Sequence, residues 1–146
     1  MVTNMITESI ELLKDLISIE SFSFNEFKTA ERIEKWFQFY EIKYSRVKNN
    51  VFAKNKYFDD SKPTILLNSH HDTVKPNDGY TNNPFESKVK DGKLYGLGSN
   101  DAGGALVSLI SVFTLVIPLT LGGNVPSRDR MSNTIDLLQG SREPRS

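Results

Sequence analysis

The sequence predicts an α/β layered domain, and three observations carry that reading. Two N-terminal segments space their apolar residues as helices do. Short alternating runs follow them. An apolar, β-branched run from Thr64 to Leu67 then ends in His70, His71 and Asp72, as a buried strand ends at a polar sheet edge.

Taken in order, Ile6, Ile10, Leu13, Leu16 and Ile17 recur at helical spacing, with Glu8, Glu11, Lys14 and Asp15 between them. Thr3 or Thr7 is placed to cap this first helix. Ser21-Phe22-Ser23-Phe24-Asn25 breaks it, and Ser23 or Asn25 opens a second helix. Phe27, Ala30, Ile33, Trp36 and Phe37 form its apolar face, while Lys28, Glu31, Arg32, Glu34 and Lys35 face water. Trp36 reads as core rather than as a ligand platform, because such a side chain buries so much area.

Ile42 to Val47 alternates as a strand, Asn49-Asn50 turns, and Val51 to Ala53 returns. Lys54 to Pro63 is a charged connection whose Asp59-Asp60 pair reads as a solvated turn, not a clamp for metals. Thr64 to Ser69 is the expected central strand, and Lys75 to Pro84 a loop. Glu86–Lys90 and Lys93–Tyr95 form a hairpin about Asp91-Gly92, the dipeptide that suits a tight primed turn. Gly103 to about Phe113 is a third helix, apolar nearly all round and therefore expected to be buried.

Composition excludes several classes. The 18 basic and 18 acidic residues cancel, so there is no electrostatic case for nucleic acid. Cysteine is absent, which rules out a disulfide scaffold and leaves imidazole and carboxylate as metal ligands. Met1 to Leu13 has no basic leader and no unbroken apolar core; it is not a signal peptide, and a cytoplasmic setting is expected. Ala105 to Leu121 is long enough to admit a membrane span. Pro118, four hydroxyl residues, Gly122-Gly123 and the lack of an upstream basic cluster favour a buried helix followed by a strand.

Residue usage changes abruptly late in the chain. Every lysine lies at or before Lys93, whereas Arg128, Arg130, Arg142 and Arg145 fall after residue 127. The expected division is therefore residues 1–113 as one portion of a domain and 114–146 as an atypical tail, frameshifted or disordered.

The chemistry gathers at His70, Asp72 and Asp101. Open α/β sheets place ligands at the carboxyl ends of their strands, and His70 stands at such an end. Its imidazole is a good zinc ligand, and Asp72 can reach the other ring nitrogen to fix the tautomer. Asp101 has two oxygens with which to bridge two metals, and Gly98, Gly103 and Gly104 admit close backbone approach. The plainer reading is a polar strand end, with Asp101 as an ordinary helix cap. Spacing alone leaves both open.

His70-His71-Asp72-Thr73-Val74, then Asn83-Pro84-Phe85, then Asp91-Gly92-Lys93-Leu94-Tyr95-Gly96-Leu97-Gly98-Ser99-Asn100-Asp101, resembles the zinc aminoacylase and peptidase family, which includes acetylornithine deacetylase and succinyl-diaminopimelate desuccinylase. Leu12 to Ile19 also resembles the family's opening helix, so the likeness runs from about residue 5 to about 113. The resemblance implies an incomplete three-layer zinc-peptidase-like catalytic domain, with a mixed, mostly parallel sheet and flanking helices. It implies His70 and Asp101 as metal ligands, Asp101 as the bridge with a cis peptide bond to Ala102, and Asp72 as the catalytic carboxylate behind His70. His71 holds the variable middle position. The cofactor implied is Zn2+, two per complete site, with Co2+ as a substitute. The reaction implied is removal of the acyl group from an N-acylated amino acid, N-acetylornithine or a succinylated relative. The partner is thus a small molecule, neither nucleic acid nor membrane.

Leu97 replaces the usual Arg and Gly103 the usual Lys, which points toward the acetylornithine deacetylase branch. The larger departure is absence. The family's Glu-Glu pair has no counterpart: no histidine follows His71, and the acids after Asp101 are Asp129, Asp136 and Glu143. A catalytic zinc takes about three protein ligands plus water, and a general base contributes roughly 10²–10⁴-fold. The competing expectation is therefore an inactive fragment or a zinc-binding remnant.

Overall fold

The computed structural model describes residues 2–54 and 58–119. Helix α1 (Val2–Ser18) and helix α2 (Phe27–Phe39) lead into a hairpin of β1 (Tyr44–Val47) and β2 (Asn50–Ala53). A second hairpin, β3 (Lys88–Lys90) with β4 (Lys93–Tyr95), precedes helix α3 (Gly104–Leu119). The class is α/β, with helices packed on small sheets.

The core forms where the three helices meet the first hairpin. Leu12 and Leu16 of α1, Ile33 and Phe37 of α2, Val51 and Ala53 of β2, and Ile110 and Phe113 of α3 share one cluster. Phe37 and Phe113 are fully buried and meet edge to face at 6.1 Å, worth about 0.5–1.5 kcal/mol beyond the area they bury. Trp36 belongs to this core, as its periodicity predicts, and its indole N–H donates to Thr114 Oγ1 at 3.1 Å. That bond satisfies a donor which burial would otherwise leave unpaired.

Several helix details differ from the expected ones. The buried residues of α1 are Met5, Ser9, Leu12, Leu16 and Ile17, while Ile6 and Ile10 are exposed. Ser9 Oγ contacts Ser111 Oγ of α3, so a hydroxyl pair occupies a place where apolar counting looked for isoleucine. The helix begins at Val2, which places Thr7 inside it and not at a cap. Phe27 is exposed too, lying under the Arg46 guanidinium at 4.5 Å. Glu26, not Ser23 or Asn25, stands at the start of α2. Helix α3 continues to Leu119 and is buried on one face only: Leu106, Val107, Ile110 and Phe113 are inside, Val112 outside.

The sheets are smaller than expected. In the first hairpin Tyr44 pairs with Ala53 and Val47 with Asn50, so the turn is Lys48-Asn49, one residue before the predicted Asn49-Asn50. Lys88 pairs with Tyr95 and Lys90 with Lys93 about Asp91-Gly92, whose φ values of 52° and 71° are those a primed turn requires. The expected central strand, 64–69, carries no ladder. No neighbouring strand among the described residues pairs with it, and the side chains of Ile65 and Leu66 are exposed. The parallel component reduces to one bridge, Phe22 to Thr73. The strand expected after a helix ending near Phe113 does not form up to Leu119, because α3 continues through those residues instead. Of the atypical tail, residues 120–146 lie outside the described residues.

Candidate functional site

The turn His70-His71-Asp72 is held from both sides by the segment between α1 and α2. Ser21 Oγ donates to the His71 carbonyl at 2.8 Å, and the Thr73 amide donates to the Ser21 carbonyl at 2.8 Å. Successive side chains in extended chain point to opposite faces. His70 and Asp72 therefore face one way, into a cleft of about 500 Å³ also lined by Ser23, Tyr80 and Asp101, while His71 points back into the protein.

Asp101 reaches the cleft on a loop that glycines shape. Leu97 donates its amide to the Pro84 carbonyl at 2.8 Å, tying the Asn83-Pro84-Phe85 turn to this loop. Gly98 has φ +74°, and the Gly103 amide donates to the Gly98 carbonyl at 2.8 Å. The backbone is not helical at Asp101 and Ala102, and the peptide bond between them is cis. Helix α3 starts only after this irregular turn.

These elements bring His70, Asp72 and Asp101 together. His70 Nε2 lies 2.9 Å from Asp101 Oδ1, and His70 Nδ1 lies 3.2 Å from Asp72 Oδ1. The Asp72 carboxylate is itself held, since Ser23 Oγ donates to its Oδ2 at 2.6 Å. Asp101 is 89% exposed, so its second oxygen is open to the cleft. The two carboxylates sit on opposite sides of one imidazole. For that reason no group of three or more His, Asp or Glu side chains converges on a single metal position among the described residues. Asp59 stands apart in the connection before Pro63. Hydrogen bonds from Lys62 and Ser61 lower its pKa to about 2, the behaviour of the solvated turn read from the sequence.

Sequence reasoning missed the polar cluster behind the site. His71 Nδ1 lies 2.8 Å from Thr29 Oγ1 and its Nε2 lies 3.0 Å from the Asn49 carbonyl. Burial pushes the His71 imidazole below the ordinary histidine value, so the ring is held neutral. Glu26, 2% exposed, accepts from the Phe24 amide at 2.7 Å and from Asn49 Nδ2 at 2.6 Å. Nothing in the sequence marked it: with Ser23 or Asn25 read as the cap, Glu26 is an ordinary acid in the first turn, where the helix dipole favours it.

The site therefore pairs an imidazole with carboxylates from two loops of an α/β domain. Residues 66–120 match the peptidase family M20/M25/M40. The chain is 32% identical over 107 residues to the probable succinyl-diaminopimelate desuccinylase of Staphylococcus aureus, an alignment covering 70% of this chain and 27% of that protein. Its fold is similar to that of human carnosine dipeptidase 1, with a TM-score of 0.70 at 20% identity over 90% of this chain and 31% of the other. It is also similar to a Bacillus subtilis protein described as a dinuclear metal-binding peptidase of the M20 family, with a TM-score of 0.60 at 23% identity over 92% of this chain and 34% of the other. Residues 66–120 thus carry the pattern of the M20/M25/M40 peptidase family, and the chain spans about a quarter of the length of the curated relatives it matches.

Proposed function

We propose that this chain carries one part of the active site of a metal-dependent amidohydrolase that removes the acyl group from an N-acylated amino acid. The observation that carries the reading is the 2.9 Å separation of His70 Nε2 and Asp101 Oδ1. Two donors bound to one tetrahedral zinc at about 2.0–2.1 Å stand roughly 3.3 Å apart, so the pair needs only a small displacement to share an ion. The donor set suits zinc, with cobalt as a substitute, because imidazole and carboxylate are both among its usual ligands. His70 and Asp101 are the ligands on this reading. Asp72, held by Ser23, orients the His70 ring from behind and raises its basicity. When bound, the metal supplies Lewis-acid polarisation of the acyl carbonyl and a water of lowered pKa. The exposed Asp101 oxygen faces the cleft in which a small substrate is admitted.

Two substrates compete within this class. Leu97 and Gly103 favour the acetylornithine deacetylase branch, hence N-acetylornithine and arginine synthesis. The Staphylococcus aureus relative favours an N-succinylated diamino acid. A cytoplasmic setting and the division of the chain at residue 113 remain part of the proposal.

The second reading is a non-catalytic fragment or zinc-binding remnant. It is favoured by the lack of a third converging donor among the described residues. Zinc stoichiometry by calorimetry, run beside hydrolysis of N-acetylornithine and N-succinyl-diaminopimelate, separates the two. Two zincs per chain with turnover of either substrate supports the hydrolase. One weakly held zinc without turnover supports the zinc-binding remnant, and no zinc without turnover overturns the hydrolase and supports the non-catalytic fragment.

A further inference from the structure

We propose that His71 is a positioning residue, an imidazole clamped between the Asn49 carbonyl and the Thr29 hydroxyl that fixes the turn on which His70 and Asp72 stand. The proposal rests on the reading of His70 and Asp101 as a metal-binding pair. His71 occupies the central position of the His-His-Asp turn and touches neither neighbour's site atoms. Its ring is instead engaged at both nitrogens, Nε2 at 3.0 Å from the backbone of the first hairpin and Nδ1 at 2.8 Å from helix α2.

Asn49 O accepts only, so Nε2 carries the proton and donates to it. Nδ1 then accepts from Thr29 Oγ1, which shares its single hydroxyl proton between this nitrogen at 2.8 Å and the Glu26 carbonyl at 3.0 Å. The Asn49 side chain donates to the buried Glu26 carboxylate, so the loop that presents the accepting carbonyl is itself anchored. The turn is also held by its own backbone, through Ser21 Oγ on the His71 carbonyl. One residue therefore connects helix α2, the first hairpin and the donor turn. Because side chains alternate in extended chain, anchoring the His71 ring on one face holds the backbone that presents His70 and Asp72 on the other. An aliphatic residue of similar size fills the space and loses both bonds. Gln, whose side-chain N–H reaches roughly where Nε2 lies, keeps the one to Asn49.

The test uses the whole chain with Co2+ as the probe, comparing wild type, His71→Leu, His71→Met, His71→Gln and Thr29→Val at a temperature where thermal unfolding shows each to be folded. Affinity comes from calorimetry and ligand geometry from the visible Co2+ spectrum. His71→Leu is expected to bind tenfold or more weakly with an altered spectrum, the scale on which supporting groups act. His71→Gln is expected to retain affinity within about threefold and the wild-type spectrum. Thr29→Val removes only the Nδ1 bond and is expected to stay within about threefold, like His71→Gln. If His71→Leu does not fold, His71→Met, which likewise lacks both bonds, decides in its place with the same expected loss of tenfold or more. Equal affinity and identical spectra across the series overturn the positioning role and leave the metal reading intact. Failure of the wild type to bind Co2+ overturns the metal reading instead. The positioning role is then read from the His70 ring resonances in the metal-free chain: movement in His71→Leu or His71→Met with recovery in His71→Gln supports it, and no movement overturns it.

Discussion

Gly98→Ala and Gly92→Ala form a matched pair of perturbations. The two glycines have nearly the same left-handed backbone, φ +74° and φ +71°. A Cβ at Gly92 meets nothing within 4 Å, whereas one at Gly98 falls 2.6 Å from Thr73 Cγ2. Both substitutions bear the left-handed strain of a residue with a side chain, roughly 1–2 kcal/mol. Only Gly98→Ala adds an overlap. Thr73 yields little, because it is β-branched and its amide is bound to the Ser21 carbonyl. Overpacking of this kind costs about 1–3 kcal/mol, so Gly98→Ala totals roughly 2–5 kcal/mol against about 1–2 for its control. The assay is urea unfolding followed by fluorescence of Trp36, the single tryptophan and a core residue. Equal midpoints for the two variants refute the argument, since they would mean that the loop before Asp101 does not press on the His70–Thr73 turn.

Other consequences are simpler to state. Phe113→Ala removes a fully buried ring at the junction of α2 and α3 and is expected to cost about 3–5 kcal/mol in the same urea assay. Glu26→Ala strands the Phe24 amide and Asn49 Nδ2, for a loss of about 1.5–3 kcal/mol, and Glu26→Gln is expected to lose less. The Asp59 carboxyl is expected to titrate near 2 by NMR and to move toward 3.8 in Lys62→Ala, whose ammonium is the largest cause of the shift. The sign follows from a depressed folded pKa: the preference for the folded state is complete above 3.8 and vanishes as the pH falls through 2.

Local chemistry made part of this fold legible. The Asp91-Gly92 hairpin follows from two residues that tolerate positive φ, and the α2 face of Ala30, Ile33, Trp36 and Phe37 follows from apolar spacing. The run 64–69 was misread because β-propensity describes a residue that suits a sheet, while a strand exists only where a partner accepts its hydrogen bonds. Ile6 and Ile10 were misplaced for a related reason. Counting apolar residues overlooks a serine that is buried because another hydroxyl answers it across α1 and α3. At the site, His70, Asp72 and Asp101 stood out because their residue types are rarely grouped. Thr29, Asn49 and Ser23 did not, because each acts through a backbone or side-chain contact some distance away in the chain.

Leu97 and Gly103, the two departures from the family pattern, have packing causes that bear on how Asp101 is held. Leu97 is buried, where an arginine head group would need a partner. A Cβ at Gly103 would lie 2.7 Å from the Gly98 carbonyl oxygen and 2.6 Å from Leu13 Cδ1, so the backbone there tolerates no side chain. A Cβ at Gly96 would lie 2.5 Å from Ile17 Cγ2. Leu13 and Ile17 are four residues apart and so share one face of α1. That face presses on both ends of the loop that carries Asp101, which makes α1 the support of the carboxylate although it contributes no donor. Ile17→Ala should therefore loosen this loop before anything else. Amide exchange at Leu97 and Gly103 is expected to quicken about tenfold, corresponding to about 1.4 kcal/mol of lost local stability, while the amides of the first hairpin keep their rates. Uniform quickening across both regions would show that Ile17 supports the whole domain, and that the Asp101 loop has no privileged dependence on this helix.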